Sequence, residues 1–226
     1  KQLAYLKEEG FEISILPVDS LGHISLEELK NTIRKDTVLI SAMLVNNEMG
    51  AVEPVDEIAA LIKSINPQII FHVDAIQAYG KYRIYPKKSG IDLLSVSGHK
   101  LHAPKGVGFL YVNEKIKIKP VVFGGGQQRG LRSGTLNIPG IAGMGKAASE
   151  AYEDFDNKVK KVAEIKDYII SELENTEGVS INSQRGLLSA PHVLSVTVKG
   201  IRGEVLLHAL EAEGIYVASG SACSSK

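Results

Sequence analysis

The chain has 226 residues, and its 26 Lys and Arg balance its 26 Asp and Glu, so its formal charge is zero. That balance carries no electrostatic footprint for nucleic acid or an anionic membrane, and no apolar run approaches the length that spans a bilayer. The length is enough to bury a real core and fits one α/β domain or one and a half. A single cysteine, Cys223, makes no internal disulfide, and the first residues show no signal-peptide pattern. Both point to a reducing compartment, so a cytoplasmic location is the expectation, with the thiol left free for chemistry. Lys1 to Glu9 reads as the end of an amphipathic helix stopped by Gly10, and the chain closes just beyond a Ser/Gly-rich stretch. These two ends give the expectation of an internal piece of a longer protein.

In chain order, Phe11 to Leu16 alternates as a strand, Pro17 breaks it, and Ser25-Leu26-Glu27-Glu28 opens a helix with a capping-box pattern. Thr37 to Val45 is an almost unbroken apolar run, which predicts a strand buried on both faces of a parallel sheet covered by helices. Asn46-Asn47-Glu48-Met49-Gly50 follows its carboxyl end, where open α/β sheets bind ligands. Val55 to Ile65 is predicted as an amphipathic helix and Gln68 to Val73 as the next strand, ending in His72-Val73-Asp74-Ala75-Ile76-Gln77. The order of the apolar runs brings Asn47, Asp74, Gln77, His99 and Lys100 to one sheet edge. Taken singly, Asn47 also reads as a turn residue, Asp74 as a helix N-cap and Gln77 as a surface side chain.

Ile91 to Val96 reads as a buried strand and Val107 to Val112 as another, and between them lies Ser97-Gly98-His99-Lys100 with Pro104-Lys105-Gly106. A lysine held between two ordered elements suits Schiff-base chemistry, because partial desolvation and neighbouring donors favour the neutral amine. Ser97, Gly98 and His99 offer phosphate donors from a tight turn. The plainer alternative for Lys100 is a solvated surface lysine. Gly124 to Thr135 clusters glycines with Arg132, Ser133 and Thr135, residue types suited to phosphate; a flexible surface loop is the alternative there. Ile138 to about Leu173 looks largely helical. After it, His192 to Val198 reads as a strand, Gly203 to Glu213 as a helix and Ile215 to Ala218 as a further strand. Cys223 sits among Ser, Ala and Gly, a setting that suits an exposed nucleophilic thiol better than a buried one.

Together, Asn46-Asn47-Glu48-Met49-Gly50, His72-Val73-Asp74-Ala75 with Gln77, Ser97-Gly98-His99-Lys100, Arg132-Ser133-Gly134-Thr135 and Ser219-Gly220-Ser221-Ala222-Cys223 resemble the cysteine desulfurases of the NifS/IscS type. These are class V, fold-type I pyridoxal-phosphate enzymes, and the resemblance runs over nearly the whole chain. It implies a large α/β domain over residues 1–145, with a mostly parallel central sheet covered by helices. Residues 146–226 would then form a linker helix and the first part of a smaller α/β domain.

The resemblance further implies that Lys100 binds pyridoxal 5'-phosphate covalently. Asp74 would pair with the ring nitrogen, and Gln77 would bond the ring's phenolic oxygen with Asn47 near it. Ser97, Gly98 and His99 would hold the phosphate, and Thr135 would reach the phosphate of the partner in a homodimer. L-cysteine would yield L-alanine and a persulfide on Cys223, passed to an iron–sulfur scaffold or another sulfur-acceptor protein. No resident metal is implied; Cys223 would meet an iron–sulfur cluster only in passing. The form of the Cys223 loop is similar to the long-loop group of the family.

The family's Gly-Ala-Thr phosphate turn and ring-stacking histidine find no match, since both would precede Lys1, and its substrate-carboxylate arginine is also unmatched. Activity is therefore expected of the full-length protein rather than of these residues alone. The alternatives are a selenocysteine lyase, another class V aminotransferase, or a non-catalytic sulfur-assembly partner that keeps the fold for interaction.

Overall fold

In the computed structural model, which describes residues 2–220, the centre is a four-stranded sheet in the order β1-β2-β3-β4. Its strands are β1 (Leu39–Met43), β2 (Ile70–Asp74), β3 (Leu93–Ser97) and β4 (Gly108–Val112). The first three run parallel and β4 returns antiparallel. Side chains alternate along a strand, and Phe71, Val73, Leu94 and Val96 go to the buried face. Ser41, His72, Asp74, Ser95 and Ser97 share the other, half-open face, where His72 is hydrogen-bonded to Ser41 Oγ through Nδ1 and to Ser95 Oγ through Nε2, both at 2.8 Å. Burial pushes the His72 pKa down and the neighbouring Asp74 carboxylate opposes it, which fits a neutral ring with one N–H to donate.

The crossover from β1 to β2 is α3 (Val55–Ile65). Its buried Val55, Ile58, Ala59 and Ile62 fall at the i, i+3, i+4, i+7 spacing that makes one apolar stripe, and Asp56 and Glu57 at its start and Lys63 in its last turn complement the helix dipole. Lys63 then reaches from that last turn to the Ile69 carbonyl at 2.7 Å and to Asp92 at 2.6 Å. Asp92 also accepts the Phe71 N–H at 2.9 Å, so one half-buried ion pair fastens helix, β2 and the entry to β3.

Around this centre lie α1 (Gln2–Glu8), α2 (Leu26–Thr32), α4 (Ile138–Tyr152), α5 (Phe155–Leu173), α6 (Gly203–Ala212), and a two-stranded antiparallel pair of β5 (Val179–Ile181) and β6 (Val196–Val198). Ser25 caps α2 as its pattern predicts, accepting the Glu28 N–H. The expected long helix from Ile138 is two helices, broken where Asp154 adopts φ 48°.

Four strand expectations are corrected, one of them the His192 to Val198 run, in which only Val196–Val198 pairs. Phe11 to Leu16 forms no strand; Ile15 is 81% exposed, and alternation without a neighbouring ladder leaves the segment unpaired. Ile215 to Ala218 likewise forms no strand. β1 is not buried on both faces: Leu39 and Ser41, alternate residues on the half-open face, are exposed.

Candidate functional site

The carboxyl ends of the parallel strands β2 and β3 lie side by side. Asp74 is in register with Ser95, and the Ala75 N–H donates to the Ser95 carbonyl at 3.0 Å. Beyond that bond the two chains separate into turns. After β2, Asp74 Oδ1 accepts the Ile76 N–H at 2.9 Å, and the Ala78 and Tyr79 N–H groups close on the Ala75 carbonyl. Buried Ala75 and Ala78 anchor this turn and leave Gln77 half-buried on it. Asp74 is therefore a turn-forming carboxylate rather than a helix cap, and Gln77 is no free surface side chain.

After β3, Gly98–Leu101 forms a single 3-10 turn. The Gly98 N–H donates to the Val107 carbonyl at 2.8 Å, and a Cβ at Gly98 would meet that oxygen and the Ala103 side chain at 3.0 Å. Gly98 serves close packing of its own loop. Leu101 is buried and pulls the turn inward, so the two residues before it, His99 and Lys100, emerge to solvent. His102 ends the turn in the left-handed region at φ 66°. Ser97 Oγ and His99 Nδ1 are 2.7 Å apart, which orients the imidazole and leaves its Nε2 outward. Lys81, four residues beyond Gln77, donates through Nζ to the Lys100 carbonyl.

Asn47 is exposed on the loop after β1, as the site requires, but the turn is built by its neighbour: Asn46 Oδ1 accepts the Glu48 and Met49 N–H groups at 2.9 Å. A later segment braces this loop. The Ala190 N–H donates to Gly50 O at 2.7 Å, Ser183 Oγ donates to Met49 O at 2.6 Å, and a Cβ on Gly50 would stand 2.9 Å from that of Val193. Buried Lys166 on α5 holds the same segment through Ser189 Oγ at 2.6 Å and the Ala190 carbonyl at 2.8 Å.

Thr135 is exposed, and no hydrogen bond among the described residues joins it to the strand-end cluster. Ser133 is not the phosphate donor its residue type suggests. It is buried, and its hydroxyl donates to the Gly125 carbonyl at 2.6 Å to close the glycine-rich loop, while Arg132 remains exposed. Cys223 lies outside the described residues.

Residue typing missed His192, because only the fold carries it to the back of the site. Neither ring nitrogen has a hydrogen-bond partner among the described residues. Burial, with Lys81 and Lys166 adding like charge, holds its pKa down to about 4 against a weaker opposing effect of the Gln77 backbone. A depressed pKa means that folding is favoured above the unfolded value of 6.5 and loses that advantage as pH falls towards 4. Acidification across that window is expected to withdraw up to about 3 kcal/mol through this group. Urea unfolding at pH 7 and pH 4.5 checks this: His192→Leu should lose less stability between the two than the unsubstituted protein.

The strand-end cluster thus unites a carboxylate, a carboxamide, a hydroxyl–imidazole pair and an amine. By residue type such a set suits a cationic ring nitrogen, an anion and an electrophilic carbonyl. Comparison with known proteins gives the same family over the whole described length. The aminotransferase class-V family model matches residues 2–226. A cysteine desulfurase IscS of Methanosarcina thermophila is 44% identical over 98% of this chain and 54% of its own length. A mitochondrial cysteine desulfurase of Saccharomyces cerevisiae is 42% identical over 97% of this chain and 44% of its own. The chain therefore spans about half the length of these curated relatives. Among solved structures, a NifS-like protein superposes with TM-score 0.92 at 40% identity, covering 96% of this chain and 59% of that one.

Proposed function

Because the chain belongs to the class-V aminotransferase family, whose cysteine desulfurases depend on pyridoxal phosphate, we propose that its full-length protein is a cysteine desulfurase and that Lys100 is its cofactor lysine. One observation carries the proposal. The ladder that sets Asp74 beside Ser95 also sets the turn bearing Lys100 beside the turn bearing Gln77. A carboxylate for a ring nitrogen and an amine for a carbonyl thus stand at neighbouring strand ends.

The residues present fit pyridoxal 5'-phosphate. Asp74 has one oxygen in its own turn and the other without a hydrogen-bond partner among the described residues, ready for a pyridinium N–H. Gln77 and Asn47 would bond the phenolic oxygen, Ser97 and His99 the phosphate, and Lys100 the aldehyde carbon; Thr135 would serve the second copy of a homodimer. The bound cofactor supplies an electron sink for bond breaking at the amino acid's carbons. Asp74 would keep that ring nitrogen protonated, and the free Lys100 amine would take and return the Cα proton.

With L-cysteine as substrate, the Cys223 thiolate attacks the substrate sulfur. A sulfur–sulfur bond forms and the Cβ–S bond breaks. The carbon skeleton gains protons to leave as L-alanine, and Cys223 carries a persulfide for an acceptor protein, an iron–sulfur scaffold being one. A solved relative, SspA in complex with cysteine, with TM-score 0.78 and 31% identity, supports the choice of substrate. The test is Cys223→Ala in the full-length enzyme: sulfide release from L-cysteine should fall by about a hundredfold or more while the visible absorbance of bound cofactor persists. Unchanged turnover would favour a lyase or transaminase instead.

A further inference from the structure

We infer that Lys81 is a positioning residue that sets the Lys100 turn against the Asp74–Gln77 turn; the inference rests on the cofactor assignment above and adds a residue to it. The groups proposed to act on one small ring come from two strand ends. Regular pairing between those ends finishes at the bond from the Ala75 N–H to the Ser95 carbonyl. Past that point, the hydrogen bond from Lys81 Nζ to the Lys100 carbonyl is the one that joins residues 76–82 to residues 98–102 among the described residues.

The turn that carries Lys81 is itself held from the other side. Tyr152 on α4 accepts the Gly80 N–H at 3.2 Å through its hydroxyl and donates to the Tyr82 carbonyl at 3.0 Å. Tyr152 is fixed in turn by an edge contact with Tyr79 and a stack on Phe155. Lys81 therefore reaches across from a braced base, and its target is the backbone of the very residue whose amine has to meet the cofactor.

Two features separate this lysine from a solvated one. It is half-buried, and burial is the main cause lowering its pKa, with the Lys100 charge second. It also has no carboxylate partner among the described residues, since no ion pair there includes it. A desolvated ammonium bound to one backbone carbonyl contributes little to stability for its desolvation. It does place that carbonyl, and a misplacement of about 1 Å at reacting groups costs orders of magnitude in rate.

The experiment compares the full-length enzyme with Lys81→Met and Lys81→Arg. Losing a hydrogen bond to a charged donor should weaken pyridoxal phosphate binding about ten- to a hundredfold in Lys81→Met, read from the visible band and from borohydride fixation. Lys81→Arg, which keeps a cationic donor, should recover most of it, a rescue that loss of general stability would not show. Amide hydrogen exchange of the cofactor-free protein is the second readout: residues 98–103 should exchange faster in Lys81→Met while the rest of the sheet is unaltered. Equal cofactor affinity in Lys81→Met and the unsubstituted enzyme would overturn the inference. Failure of the unsubstituted enzyme to bind pyridoxal phosphate would instead sink the cofactor assignment; unchanged exchange over residues 98–103 would then still overturn the tie itself.

Discussion

Lys100→Ala in the full-length enzyme is expected to lower alanine formation from L-cysteine by about 10⁴-fold or more, since on the proposed assignment it removes both the covalent anchor and the base that moves the Cα proton. The fold should survive. Lys100 is exposed, its side chain has no hydrogen-bond partner among the described residues, and its turn is held by Gly98, Leu101 and the Gly98–Val107 bond. Far-UV circular dichroism should therefore match that of the unsubstituted protein, while borohydride fixes no cofactor. Added primary amines test the assignment further. A small amine able to take the proton should restore part of the turnover in Lys100→Ala and none in Cys223→Ala, where the missing group is the sulfur nucleophile.

Phe71→Ala should give the largest loss of stability, about 3–5 kcal/mol, as expected for truncating a fully buried aromatic side chain. Phe71, the second residue of β2, is 0% exposed, and its backbone N–H is held by Asp92. The core cluster it belongs to includes residues of α3, β2 and β3, so a cavity there is expected to loosen more than one element. A domain is stable by roughly 5–15 kcal/mol, so the loss is a large fraction of the whole. Because Asp74 stands three residues along the same strand, cofactor affinity should fall with it. Tyr85→Ala is the control: that side chain is 58% exposed, and its removal should stay within about 0.5 kcal/mol. Urea unfolding midpoints separate the two.

Elements whose signal is local were legible in the sequence. α3 occupies Val55–Ile65 as its apolar spacing and end charges predict, and Ser25 caps α2 through its own side chain. The placement of Asp74 and the Lys100 turn at neighbouring strand ends was also legible, because parallel strands have their carboxyl ends on one side of a sheet, here with only turns and no helix between β2 and β3.

What depends on a distant partner was not. Phe11 to Leu16 has the right alternation but no ladder to join. His192 and Val193 were read as the start of a strand; their side chains instead pack near Gln77 and against Gly50, and pairing begins only at Val196. Nothing local distinguishes Asn46 from Asn47 as the turn-former, or Lys81 from the other lysines, since each role is set by a contact made only when the chain has folded.

The most direct measurement is the site of covalent attachment. Full-length protein saturated with pyridoxal phosphate, reduced with borohydride and digested, should yield one modified peptide carrying the cofactor on Lys100, and prior addition of L-cysteine should release alanine and leave that peptide unlabelled. A label on any other lysine, or none at all, would contradict the account.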